Sequence, residues 1–145
     1  MNHIIVTIGK DNLAFPVASV LGVCPSSTIQ RIPSLPQPVL GISVTRNRAF
    51  PVVEIAKTNS KNLLLILDNG TDQFALAVGN VISISEIPTE EMMAIDLNQC
   101  NGNPFADYSN GLWKKDGENF WLINPKKLVW GKSENSGNKG ANNAA

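Results

Sequence analysis

Short segments rich in Val, Ile, Leu and Phe recur along the chain between clusters of Gly, Pro, Asn and Asp, and almost nowhere do apolar residues hold a helical period for three turns. The pattern predicts a β protein. Strands are expected at 4–8, 13–17, 20–23, 40–45 and 49–53, with "GKDN" as the first turn and a long Pro-rich connection over 24–38. The series then restarts, with strands expected at 63–67, 74–78, 81–87, 111–115 and 119–123. "DNGTD" joins the first pair of this second series.

The second series repeats the first. "LAFPVASVLGV" from Leu13 aligns without a gap to "FALAVGNVISI" from Phe74, so Val17 meets Val78, Val20 meets Val81 and Val23 meets Ile84. "GISVTRNRAFPVV" from Gly41 aligns to "GLWKKDGENFWLI" from Gly111, pairing Phe50 with Phe120 and Arg46-Asn47 with Asp116-Gly117. The longer second connection falls within "PTEEMMAIDLNQCNGNPFADYSN", polar enough for a surface loop. Two copies of a five-stranded unit follow, and five short strands avoid exposed edges best by curling into a small barrel of the SH3-like or OB-like kind. The expected fold is therefore all-β, with two pseudo-symmetric five-stranded barrels packed together. Barrel 1 is expected over about 13–58 and barrel 2 over about 63–130, with strand 4–8 pairing with either.

Asp116-Gly117 is a strong two-residue hairpin signal, because a type I′ turn needs positive φ at both central residues. Asn47 suits the same backbone, so the repeat predicts a tight turn at Arg46-Asn47 with Arg46 and Arg48 projecting from a hairpin end. Near the end, Asn124 and Pro125 look like the N-cap and first residue of a short helix over "PKKLVW", with Gly131 placed as its stop. Residues 131–145, "GKSENSGNKGANNAA", have no apolar residue larger than alanine and are expected to be a disordered tail.

Composition narrows the function. The chain has 145 residues, enough for one ordinary domain or two very small ones. Twelve basic and twelve acidic residues give zero formal charge, without the surplus that holding a phosphate backbone requires. Cys24 and Cys100 stand apart, no apolar leader follows the start, and no apolar run approaches the roughly 20 residues that cross a bilayer, so a cytoplasmic chain with reduced thiols and no membrane insertion is expected.

Candidate chemistry is sparse. His3, the single histidine, stands near a terminus and reads as a frayed surface residue. Four zinc ligands cannot be assembled, and neither a P-loop nor G-x-G-x-x-G occurs. "DLNQCNGNPFAD" begins like a calcium loop but places Asn101 where glycine must stand and Asp107 where glutamate must stand. Glu90 and Glu91 are sequence neighbours that point apart. No catalytic residue, metal or cofactor is expected. The doublets Lys114-Lys115 and Lys126-Lys127, with Trp113, Trp121 and Trp130, leave a tandem-barrel nucleic-acid binder as the alternative. Trp121 follows the core position Phe120, which argues against stacking on bases. A module that acts by touching other proteins remains.

Residues 3–130 resemble the CheW-like domain, the chemotaxis coupling protein family. The resemblance rests on the strand pair "FPVASVLGV", on Ile29-Gln30-Arg31-Ile32-Pro33, and on the Gly-then-hairpin ending "PVVEI". "LLLILDNGTDQFALAVGNVISI" and "GLWKKDGENFWLINPKKLV" extend it through the second half. It implies a single domain over 1–130 made of two intertwined SH3-like barrels. It also implies an adaptor that couples the cytoplasmic tips of chemoreceptors to the regulatory domain of a CheA-type histidine kinase. Relatives serve flagellar chemotaxis, type IV pilus twitching motility and phototaxis, and recruitment to membrane receptor arrays is implied in each.

In the family a hairpin motif Asn-Leu-Arg-Gly holds a receptor-facing arginine. The matching stretch is Val44-Thr45-Arg46-Asn47, which carries the arginine over to Arg46, with Asn47 in place of glycine. Val20, on the matching receptor-contacting strand, would line the same groove. The resemblance thus implies receptor binding by Val20, Arg46 and Asn47 and assigns no residue to the kinase surface. Two departures are Val44 in place of the motif's asparagine and Gly79 in place of a family acid.

Overall fold

A strand that alternates apolar and polar residues can rest one face on a core, but "LLLIL" and "FALAV" carry apolar side chains on both faces and need cover on both sides. That requirement decides the architecture. The computed structural model describes residues 1–36, 38–56, 61–96 and 102–128. Strands β1 (Asn2–Ile8), β2 (Asp11–Pro16), β3 (Val20–Pro25), β4 (Ile29–Arg31), β5 (Val39–Thr45) and β6 (Arg48–Val53) form the first repeat. Strands β7 (Leu63–Asp68), β8 (Gln73–Val78), β9 (Asn80–Glu86), β10 (Met92–Met93), β11 (Ser109–Lys115) and β12 (Glu118–Ile123) form the second.

The repeats exchange their leading hairpins. One sheet runs β10-β11-β12-β2-β1-β9 and the other β3-β7-β8-β6-β5-β4, so each holds four strands of one repeat and the first two of the other. Advancing every strand of one order by a repeat reproduces the other order read backwards. The only parallel pairings among the described strands stitch each exchanged hairpin in place, β2 against β12 and β8 against β6. Their registers are equivalent, with Ala14 opposite Leu122 and Ala75 opposite Val52. The expected barrels over 13–58 and 63–130 are corrected accordingly. One sheet takes residues 2–16 and 80–123, the other 20–78.

Burial explains the exchange. Ile4, Val6, Leu13 and Phe15 from β1 and β2 meet Leu65, Leu67, Phe74 and Leu76 from β7 and β8 in one joint core. The opposite faces fill separate interiors: Leu64, Ile66, Ala75 and Ala77 pack with Phe50 and Val52, while Ile5 and Ala14 pack with Trp113 and Leu122. In the second sheet Cys24 on β3 and Ile29 on β4 reach the same interior from opposite edges, so that sheet curls around its core. Trp121 is buried, as its position after Phe120 suggested.

Each sheet has six strands rather than five. The unexpected members are β4, inside the Pro-rich connection, and its counterpart β10, inside the polar loop. Gly41 and Gly111 admit them. A Cβ on Gly41 would lie 2.1 Å from the Gln30 carbonyl oxygen on β4, and one on Gly111 would lie 2.6 Å from the Met93 carbonyl oxygen on β10. Both glycines also follow equivalent register shifts in their hairpins.

The short C-terminal helix is a three-residue 3-10 turn, Pro125–Lys127. Asn124 does cap it, its Oδ1 accepting from the Lys126 amide at 3.1 Å. Just beyond, the Leu128 carbonyl accepts from Nδ2 of buried Asn69 at 2.9 Å, while Asn69 Oδ1 accepts from the Thr71 and Asp72 amides. The β7–β8 turn therefore anchors the last described residue. Cys100, Trp130, Gly131 and the tail over 131–145 lie outside the described residues.

His3 is not frayed. It sits on β1 between β2 and β9, only 4% exposed, and its Nδ1 lies 3.1 Å from the Met1 carbonyl. A carbonyl accepts only, so Nδ1 carries the proton and Nε2 holds the lone pair of the neutral ring. Burial holds its pKa below the usual imidazole value, with the Met1 hydrogen bond opposing it in part.

Two outcomes test this fold. Gly41→Ala should lower unfolding stability by about 3 kcal/mol in urea denaturation, because β4 must move, whereas Gly22→Ala, which meets nothing within 4 Å, should stay near the parent. Equal stability of the two would contradict the close approach. For His3, the unfolded chain binds a proton near the ordinary value of about 6.5 while the native state resists it. Stability should therefore fall as pH drops through that value and level off below the folded pKa. Denaturation at about pH 7.5 and about pH 5 should show a smaller loss for His3→Gln than for the parent.

Candidate functional site

The hairpin between β5 and β6 turns at Arg46 and Asn47, both with positive φ, at 52° and 62°. The equivalent hairpin between β11 and β12 turns at Asp116 and Gly117 with φ of 53° and 81°. The shared type I′ geometry is as the repeat predicted. Glycine and asparagine accept this conformation readily, but an arginine at the first position sits there at a cost of about 1 kcal/mol.

The two hairpin tips carry opposite charge. Arg46 and Arg48 in one correspond to Asp116 and Glu118 in the other. Arg48 is exposed but not simply solvated. Its guanidinium donates to Gln73 Oε1 on the exchanged β8 and lies 5.0 Å from the centre of the Phe50 ring. In the other barrel Asn12 Nδ2, on the exchanged β2, donates to Glu118 Oε1 at 3.1 Å. The same bond closes both tips with donor and acceptor reversed. Arg46 differs, since among the described residues no hydrogen bond or ion pair holds its guanidinium.

Beside Arg46 lies a pocket of about 140 Å³. β3 gives it a wall from Leu21 to Cys24, Phe50 and Ile66 line it from β6 and β7, and Thr45, Arg46 and Arg48 come from the hairpin. Leu21 and Val23 are 43% and 44% exposed, and Val44 on the hairpin is 53% exposed. An apolar cleft bordered by cationic groups, with no acid among its lining residues, suits a partner segment that offers apolar side chains and a carboxylate.

The expected site residues are separated by strand alternation. Arg46 lines the pocket; Asn47 is exposed at the turn but is not part of the lining. Val20 is half-buried and packs against the joint core, leaving its neighbours Leu21 and Val23 to face the pocket. Phe50 and Ile66 were missed as site residues because both read as interior positions. The alternation along "VLGVC" carried the signal for Leu21 and Val23.

Among the described residues no three side chains drawn from His, Cys, Asp and Glu gather as a metal site, and no helix is long and apolar enough to cross a membrane.

The chain resembles the crystal structure of scaffolding protein TtCheW from Thermoanaerobacter tengcongensis, with a TM-score of 0.70 at 16% identity, over 84% of this chain and 82% of that one. That likeness establishes the shared fold. No curated protein matches the chain. The family model of the CheW-like domain matches residues 2–131, spanning both barrels and the exchanged hairpins. The chain belongs to the CheW-like domain family.

Proposed function

We propose that this protein is a non-catalytic adaptor that couples chemoreceptors to a CheA-type histidine kinase in chemotaxis or pilus-based motility signalling. Membership of a scaffold family supports the coupling role. The single observation that carries the receptor side is Arg46, unpartnered and held at a positive φ beside an apolar pocket. A turn needs no arginine there, and Gly117 and Asp116 fill the equivalent turn without one. The strained position is explained by a partner that supplies the missing carboxylate.

In this reading the cytoplasmic tip of a receptor, a helical hairpin, lays apolar side chains on Leu21, Val23 and Phe50 while Arg46 fixes its register. Asn47 shapes the turn, and Val20 supports the strand from behind. The regulatory domain of the kinase takes a separate surface. The protein works in the cytoplasm and reaches the membrane only through receptor arrays.

Co-sedimentation with receptor tip fragments and pull-down with the kinase regulatory domain test the proposal. Arg46→Glu should weaken receptor capture at least about tenfold, equivalent to about 1.4 kcal/mol, and leave kinase capture unchanged. Arg46→Gly should also lose receptor affinity while keeping or raising thermal stability, since glycine relieves the positive φ. Unchanged receptor binding by both variants would remove Arg46 from the site. Failure of the parent protein to bind either partner would remove the adaptor reading itself.

A further inference from the structure

The single histidine and all three methionines of the chain line one cavity. Its volume is about 510 Å³, and it lies on the β10 side of the first sheet, away from the Arg46 pocket. β1 brings His3 to it, Met1 stands just before that strand, and Met92 and Met93 form the whole of β10. Apart from these four the lining is neutral, with Pro16, Leu122, Ile123 and Pro125 supplying apolar walls and no Asp, Glu, Lys or Arg.

His3 is the unusual member. Its Nδ1 is taken by the Met1 carbonyl, and among the described residues Nε2 has no hydrogen-bond partner although the side chain is almost fully buried. A buried nitrogen lone pair without a donor is costly, and the structure offers no reason for it in the sheet. A metal-ligating histidine has this arrangement, one ring nitrogen donating to a backbone carbonyl so that the other presents its lone pair. Besides the neutral oxygens of Thr89, Asn110 and Asn124, the remaining potential ligands are thioethers. These are soft, weakly basic donors that hold monovalent copper well and hard or borderline divalent ions poorly. Absence of carboxylate from the lining disfavours magnesium, calcium and manganese in the same way.

We propose that this cavity binds a soft monovalent cation, Cu(I), through His3 Nε2 and the thioether sulfurs of Met1 and Met93, while Met92 packs against the Trp113 cluster. Two thioethers and the imidazole complete a three-coordinate site, the low coordination number that this d10 ion accepts. The cavity exceeds the volume of one ion, which gives the methionine side chains room to swing inward about their three rotatable bonds. Met1 and Met93 are 68% and 42% exposed and form the open side of the site, with His3 as its buried ligand. Because Met92 and Met93 make up β10, the bound ion would tie that short edge strand to β1.

Cu(I) itself, supplied anaerobically with ascorbate to the full chain against a chromophoric Cu(I) chelator, is the probe. One ion per chain should be retained. Met93→Leu, an exposed and conservative change, and His3→Gln should each weaken retention at least about tenfold, while the double variant Cys24→Ser, Cys100→Ser should retain the ion. Ag(I), a redox-stable stand-in, should shift at least two of the three methionine methyl resonances in the 13C-methyl-labelled protein, along with the His3 ring signals. No retention against the chelator would overturn the proposal. So would loss confined to the cysteine variant, which would assign the ion to thiols, or retention by Met93→Leu and His3→Gln equal to that of the parent.

Discussion

The parallel pairing of β2 with β12 and of β8 with β6 is the constraint on which the rest of the molecule depends. These short contacts hold each repeat's leading hairpin inside the other repeat's sheet. Side chains on both faces of the exchanged hairpins are then covered, one set in a barrel interior and the other in the joint core. Without exchange, Leu65, Leu67, Phe74 and Leu76 would meet solvent, and exposing each would cost about 1.5–3 kcal/mol. Small residues at Ala14 and Ala75 sit opposite Leu122 and Val52 where the parallel strands meet, and the two barrels use them identically. Two barrels joined in this way cannot separate without breaking both sheets.

A rigid double barrel presents its variable chemistry at the edges and hairpin tips. The pseudo-symmetry makes the differences legible: both turns share a backbone, but one carries arginines and the other acids. Arg48 and Glu118 are each tied to the exchanged hairpin by an equivalent bond, so their charges also serve the fold. Arg46 is left over from that structural duty. β3, an edge strand, places Leu21 and Val23 next to it. A scaffold works through surfaces of this kind, where a stiff core holds a few anchors in register for a partner.

Much of this was readable in the amino-acid order. The all-β class, ten of the twelve strands, the repeat and the type I′ turn at Arg46-Asn47 follow from apolar spacing and turn residues. The strands β4 and β10 did not. Ile29–Arg31 and Met92–Met93 are too short to show a period, and each exists because a glycine on the next strand lets its backbone approach. The exchange was hidden for another reason: sequence order suggests that neighbours in the chain share a barrel, and only the doubly apolar runs in β7 and β8 hint otherwise. His3 was misread because proximity to a terminus says nothing of a strand that lies between two others. Val20 packs against the joint core, and the apolar residues a half-period away that face the pocket are Leu21 and Val23. Arg48 read only as projecting from a hairpin end because its partner, Gln73, lies on the exchanged β8.

The central claim is that exchange makes the two barrels one cooperative unit, and native-state hydrogen exchange along a denaturant series measures this directly. Amides of Val6 and Ala14 in one sheet and of Leu65 and Ala75 in the other should converge on a single opening free energy with one denaturant slope, equal to those of global unfolding. Convergence on two values, with the amides of one sheet exchanging at a lower free energy and smaller slope than the other, would contradict it.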